Sequence, residues 1–323
     1  MTDVADYLGK KYGGWLNLAK AYGKRAKSDA WIGLPFGATA GPLIYRKSIL
    51  KSVGFDKAPE DAAGFLDLCK KLQKAGKPAG FALGNAVGDG NGFADWMLWS
   101  HNASLLDEEG NVTINSKETI AALKYVKELY PTFIAGTPSW NDVSNNRAYS
   151  SQELALTANG VSLYFSLKND PATAAIAEDS EHQLLPKFFA PNSPMSGLTL
   201  NAMVFKHSQY PNAAKAFLQF MLEKDQYEPW LNANSGYWSQ PLAAYADAKV
   251  WSGDPKVAIF KDTMHSKYYA GYKGPISTAT GAVRADYVTV QMFAAVATGA
   301  STPEAAAAEA EQRAKRYFRR QGR

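Results

Sequence analysis

A chain of 323 residues, 46% hydrophobic and 20% charged, exceeds one typical domain and carries enough apolar material for two cores. The net charge of +5 is spread along the sequence except near its end, which argues against nucleic acid as a partner. The single cysteine excludes an internal disulfide, and no apolar run approaches the roughly 18 residues a membrane span needs.

The first six residues lack a basic stretch and an apolar stretch, so they read as no signal peptide. Residues 3–26 are expected to be helical, and Trp31 to Leu34 a short strand. Gly33 to Gly41 is a Gly/Pro-rich turn segment that feeds an apolar strand, Pro42 to Tyr45, and then a short Lys-bearing helix. A helix is predicted from Pro59 to Ala75, with the proline just inside its first turn and Cys69 on its buried face. Phe81 to Leu83 reads as a strand and Gly84 to Gly92 as a loop, with an aromatic helix from Phe93 to His101. Leu105 to Ile114 reads as a hairpin turning at Gly110.

Asn115 and Glu118 predict a capping box before a helix that buries Ile120, Leu123, Val126 and Tyr130. A polar, Asn-rich tract follows from Asp142 to Ser151, and Leu154 to Phe165 contains a strand around Asn159. Residues 169–195 read as loop. Gly197 to Phe205 is a second apolar strand, and Pro211 opens a helix with Ala214, Phe217, Phe220 and Met221 on one face. Ser301 to Glu304 caps a final Ala-rich helix whose basic end suits the helix dipole. Helices alternating with short strands give an α/β class.

Metal and nucleotide chemistry find little support. The four histidines are far apart, with no HxxxH or HxH pair. There is no GxSxG elbow and no phosphate loop. No cofactor, no metal site and no catalytic residue is expected. Glycoside hydrolysis needs two carboxylates; Asp89 and Asp95 are the acids that stand near aromatic residues. What recurs instead is aromatic rings with neutral polar groups in Gly/Pro-rich segments: Asp89 and Asn91 with Trp96 and Trp99, Trp140 with Asn145 and Asn146, Asn159 with Ser162 and Tyr164, Tyr237 with Trp238, and Tyr269 with Tyr272. Rings cover the C–H faces of sugars, and amides both donate to and accept from hydroxyls.

Several segments, taken in order, resemble the sugar-type bacterial extracellular solute-binding proteins of ABC transporters, the maltodextrin-binding-like family. They are Gly33 to Ser48, the hairpin with Asn115 to Leu123, Asn159-Gly160, Pro211 to Leu218, Ser235 to Pro241, and Gly299 to Ala306. The resemblance implies a periplasmic-binding-protein-like two-lobe fold with crossing hinge strands and a ligand held between the lobes. Residues 1–40 and 197–250 would form the N-terminal lobe, and residues 41–196 and 251–323 the C-terminal lobe. The family's opening block is expected to be largely absent, leaving the N-terminal lobe incomplete. The ligand residues implied are Thr39, Gly41, Asp89, Asn91, Trp99, Asn145, Asn159, Ser162, Tyr164, Tyr237 and Trp238. The implied partners are a sugar or polyol and the transmembrane permease subunits of an ABC importer, with the parent protein a periplasmic monomer. Two alternatives stand beside this reading: a carbohydrate-active enzyme, and a truncated fragment that binds nothing.

Overall fold

The computed structural model describes residues 1–321. In chain order its helices are α1 (Thr2–Lys11), α2 (Asn17–Gly23), α3 (Lys47–Ser52), α4 (Ala62–Lys74), α5 (Asp89–Ser100), α6 (Lys117–Leu129), α7 (Ser144–Ser150), α8 (Val161–Asn169), α9 (Ala174–Asp179), α10 (Pro211–Met221), α11 (Lys224–Ala233), α12 (Val250–Gly253), α13 (Thr278–Ala285), α14 (Val288–Ala297) and α15 (Pro303–Gln321). The strands are β1 (Leu34–Thr39), β2 (Leu43–Arg46), β3 (Leu156–Ala158), β4 (Ser180–Gln183) and β5 (Leu198–Ala202). Two compact units result: unit 1 is Met1–Ala40 with Gly197–Tyr269, and unit 2 is Gly41–Ser196 with Ala270–Arg323.

Unit 2 is built on the antiparallel sheet β3-β2-β4. Leu43, Ile44 and Tyr45 are all buried, as a central strand covered on both faces demands. Beside it lies an aromatic core. The Phe81 ring sits 5.4 Å from Phe93, 5.5 Å from Trp96 and 5.2 Å from Phe133, spacings at which ring pairs attract beyond their burial. Trp96 satisfies its indole N–H by donating to the Pro186 carbonyl at 2.8 Å. Helix α14 buries residues around much of its circumference, including Val288, Val290, Phe293 and Val296, because α5, α6 and α15 all pack on it. Cys69 is a free, buried thiol, and burial pushes its pKa up.

Unit 1 carries the antiparallel pair β1-β5, with Leu34 opposite Ala202, Thr39 opposite Leu198 and an irregularity between Pro35 and Gly37. Its core is a Tyr-rich cluster. The Tyr227 ring lies 4.7 Å from Tyr245, and the hydroxyls of Tyr227 and Tyr245 donate to the carbonyls of Phe36 and Leu222. By contrast, α10 buries no residue. Phe217 and Phe220 are 60% and 52% exposed, while Ala214 and Met221 of the apolar face read from the sequence are half-buried.

Several local expectations are corrected. The helix expected over 3–26 is two helices, broken where Gly13 and Gly14 take positive φ. Trp31 contributes only an isolated bridge to Lys24, and the strand begins at Leu34. Helix α4 starts after Asp61, whose carboxylate accepts the Gly64 N–H at 2.8 Å, so Pro59 lies outside it. The cap of α6 is Ser116, accepting the Thr119 N–H at 3.2 Å, and not Asn115. Leu129 is buried on this helix, and Ile120 and Tyr130 are only half-buried. Phe81 to Leu83 is irregular backbone, while Ala79 makes the bridges. The strand expected around Asn159 ends at Ala158. The tract read as loop over 169–195 contains α9 and β4. Residues 251–269, expected with the other lobe, belong to unit 1, where Trp251, Phe260 and Met264 are buried.

Candidate functional site

In unit 2 the site begins with a close approach of two chain segments. A Cβ on Gly84 would stand 2.3 Å from the Trp140 carbonyl oxygen and 2.9 Å from that of Pro138. Only glycine lets residue 84 lie flush against that segment. The contact leaves Asp142 at the start of α5, which begins at Asp89, earlier than the loop expected over 84–92 allows. The Asp142 carboxylate accepts the backbone N–H groups of Val87, Gly88 and Asp89 at 3.0, 2.9 and 2.8 Å. It thus supplies, from some fifty residues downstream, the anionic cap that a helix N-terminus favours.

Asp89 therefore shares its turn with a second carboxylate. Burial pushes the Asp89 carboxyl up, the Asp142 charge adds to the shift, and a hydrogen bond from Asn145 opposes it, leaving it at about 7. Asp89 Oδ2 and Asn91 Oδ1 are buried and accept no hydrogen bond, although Asn91 donates through Nδ2 to the Val87 carbonyl at 3.2 Å. Two unmet acceptors on one helical turn are costly unless a donor reaches them.

The group continues through amides. Asn145 donates to the Ala158 carbonyl at 3.0 Å, and its own oxygen accepts the Asn146 N–H at 2.8 Å. Asn159 donates through Nδ2 to the Asn146 side-chain oxygen and through its backbone N–H to the Pro42 carbonyl at 3.1 Å. Gly41 runs along the Asn159 backbone, where an added Cβ would sit at 3.5 Å. Gly41, Asp89, Asn91, Asn145 and Asn159 are in this way brought together within unit 2.

The other residues expected in this half are placed differently. Ser162 is exposed on the first turn of α8. Tyr164 is buried edge-on to His182 at 5.7 Å, with the Lys168 ammonium 5.4 Å over its ring. Trp99 is buried against Tyr272, ring centroids 5.9 Å apart. Both rings pack in the body of unit 2. Sequence reasoning missed Asp142 as a functional group and did not assign Asn146; both stand in the polar tract after Trp140, the one signal that pointed there.

In unit 1 a separate group forms at the end of β1. Ser239 exchanges backbone hydrogen bonds with Ala38, which lays Trp238 along the strand. A Cβ on Gly37 would approach Trp238 Cβ to 2.7 Å. Tyr237 and Trp238 meet edge to face at 5.0 Å; Tyr237 is exposed and Trp238 half-buried. The Thr39 hydroxyl oxygen nearby in sequence is buried without a partner.

Asp95, the other acid weighed for enzymatic chemistry, is bound to the Arg284 guanidinium. Its carboxyl is raised by burial and pulled back by that charge. Asp107 holds Asn111 across its own exposed turn. Among the described residues no group of three or more His, Cys, Asp or Glu could hold a metal ion, and no helix is long and apolar enough to cross a membrane.

The mixed α/β fold in two units is that of the periplasmic-binding-protein class. Residues 1–259 match the family described as bacterial extracellular solute-binding protein, and the chain belongs to it. Over 211 residues the chain is 26% identical to YcjN of Escherichia coli (strain K12), which bears the name of an ABC transporter periplasmic-binding protein. The match covers 64% of this chain and 47% of YcjN, so the chain spans about half the length of that curated relative. Maltose-bound MalE3 of T. maritima superposes with a TM-score of 0.79 at 22% identity, covering 97% of this chain and 78% of that one. A solute-binding protein of Agrobacterium radiobacter K84 in complex with ribitol gives a TM-score of 0.73 at 18% identity, over 97% and 77% of the two chains. These likenesses establish the fold.

Proposed function

We propose that the protein captures a sugar or polyol outside the cytoplasm and delivers it to the transmembrane permease of an ABC importer. The observation that carries the reading is the amide-and-carboxyl group of unit 2, which ends in two buried acceptors, Asp89 Oδ2 and Asn91 Oδ1, with nothing to accept from. A polyhydroxylated ligand supplies such donors without adding charge. Gly41, Asn145, Asn159 and Ser162 are the further polar contacts proposed in unit 2, with Trp99 and Tyr164 as buried rings that back them. Thr39, Tyr237 and Trp238 are those proposed in unit 1, where the exposed Tyr237 ring offers a face for sugar C–H groups. Family membership and the maltose and ribitol held by the two structural relatives support this ligand class. The reading involves reversible binding and no covalent step.

The test is a thermal-shift and calorimetric screen of the chain against maltose, laminaribiose, ribitol and mannitol. A binder at 100 times its Kd stabilises the native state by about 2.7 kcal/mol. At least one compound is expected to raise Tm with saturation. A panel that leaves Tm unmoved up to millimolar concentration overturns the reading.

A further inference from the structure

We propose that Asp89 is a proton-linked acceptor: its Oδ2, with the Asn91 carbonyl oxygen, receives ligand hydroxyls, and capture expels the Asp89 proton to solvent. This deepens the solute-binding reading and rests on it.

The geometry comes first. Asp89 lies in the opening turn of α5, and its Oδ2 is buried without a partner. Asn91 is 2% exposed, and its Oδ1 is equally unpartnered. The donors that would otherwise serve a helix N-terminus are taken, because Asp142 accepts from Val87, Gly88 and Asp89. Asp89 therefore gains no backbone N–H to hold its charge. Among the described residues, the hydrogen bond that favours its ionised form comes from Asn145.

The surrounding charges do not compensate. Among the described residues, Asp142 is the charged group that acts on Asp89, and it raises the carboxyl further. Helix α14, packed against α5, has no charged residue; it presents Val290 near Gly90, and Gln291 reaches Asn85 at 3.4 Å. On α6, also packed on α5, Lys117, Lys124, Lys127 and Glu128 are exposed and Glu118 is half-buried. Arg147 of α7 is exposed. Arg284 of α13 is committed to Asp95 near the middle of α5. Burial and a like charge thus keep the Asp89 proton on up to about pH 7.

A ligand hydroxyl changes that balance. An O–H donating to a carboxylate makes a charge-assisted bond, roughly twice as strong as one to a neutral carboxyl. The bound state favours the ionised form and the free state the protonated one, so binding releases a proton below neutrality. Affinity then rises with pH, by at most tenfold per pH unit, below pH 7 and levels off above it.

The experiment is isothermal titration of the chain with the sugar or polyol identified in the screen, from about pH 5 to pH 8 and in buffers of different ionisation enthalpy. Wild type is expected to gain affinity with rising pH and to release a measurable fraction of a proton at pH 6. Asp89→Asn, which keeps an acceptor but cannot titrate, is expected to bind with a flat profile and no proton release. Asp142→Asn is expected to move the wild-type midpoint to lower pH. A flat profile in wild type overturns the inference and leaves the solute-binding reading intact. So does a slope that survives in Asp89→Asn. Failure of every compound to bind at any pH overturns both.

Discussion

The Asp142 carboxylate accepts the backbone N–H of Asp89 at 2.8 Å, and its charge adds to the burial that pushes the Asp89 carboxyl up to about 7. One residue thereby orders the helix end and adds to the proton affinity of its neighbour. The two effects separate in experiment.

The first concerns stability against pH without ligand. The folded pKa of Asp89, about 7, lies above its unfolded value of about 3.9. The native state therefore binds the extra proton between those values, and the stability it contributes is complete below about pH 4 and lost as pH rises through about 7. Relative to Asp89→Asn, wild type is expected to lose on the order of 2–4 kcal/mol between about pH 4 and pH 8 in urea unfolding. A difference that stays constant with pH would rule this out.

The second concerns the cap. Asp142→Ala leaves three N–H groups without their acceptor and is expected to cost about 1–2 kcal/mol. Amide exchange at Val87, Gly88 and Asp89 should accelerate before any global loss of stability. Unchanged exchange at these three positions would contradict the capping role.

The Asp95–Arg284 pair is expected to be structural. Removing one partner as Arg284→Met leaves a buried carboxyl and is expected to cost about 2–4 kcal/mol, while the double change Asp95→Asn/Arg284→Met should recover part of it. Ligand affinity, measured by calorimetry on the folded variants, should move little. A large loss of affinity would place Asp95 in the site.

Two glycines give opposite expectations. Gly84→Ala forces a Cβ onto backbone oxygen at 2.3 Å, whereas Gly41→Ala meets Asn159 backbone at an ordinary 3.5 Å. Thermal unfolding should show the first losing about 2 kcal/mol or more and the second within about 0.5 kcal/mol of wild type. Equal Tm values would sink the close-approach account.

Two tryptophans separate core from site. Trp15 is buried and donates to the Ala5 carbonyl at 2.7 Å, so Trp15→Ala is expected to cost about 3–5 kcal/mol of stability. Trp238 is half-buried beside exposed Tyr237, and Trp238→Ala should lose about tenfold or more in affinity at a smaller cost in stability. The reverse pattern in paired unfolding and binding curves would remove Trp238 from the proposed contacts.

Much of the fold was legible because its signals are local. The run Pro42 to Tyr45 declared an apolar strand and Pro211 a helix start by its fixed φ, while the cap read at Ser301 falls one residue on, at Thr302, which accepts the Ala305 N–H at 3.2 Å. What escaped depends on distant partners. Strand β4 reads Ser-Glu-His-Gln, with no apolar alternation; it is a strand because β2 offers it an edge. Helix α5 begins inside a Gly-rich stretch because Asp142, far along the chain, supplies the cap that the local sequence lacks. Among the site residues, Asp89 and Asn91 carried a compositional signal beside aromatic residues. The standing of Asp142 arises from tertiary contact alone. Trp99 and Tyr164 show the converse, rings whose composition pointed to an open surface and whose packing is interior.

The occupied end of α5 also sets what the site refuses. A helix N-terminus with free N–H groups attracts phosphate, but here a built-in carboxylate already fills that position. On the proposed reading, a phosphorylated sugar or a sugar acid would find those donors spent and meet a carboxylate already in place, so an uncharged ligand is the one expected to bind.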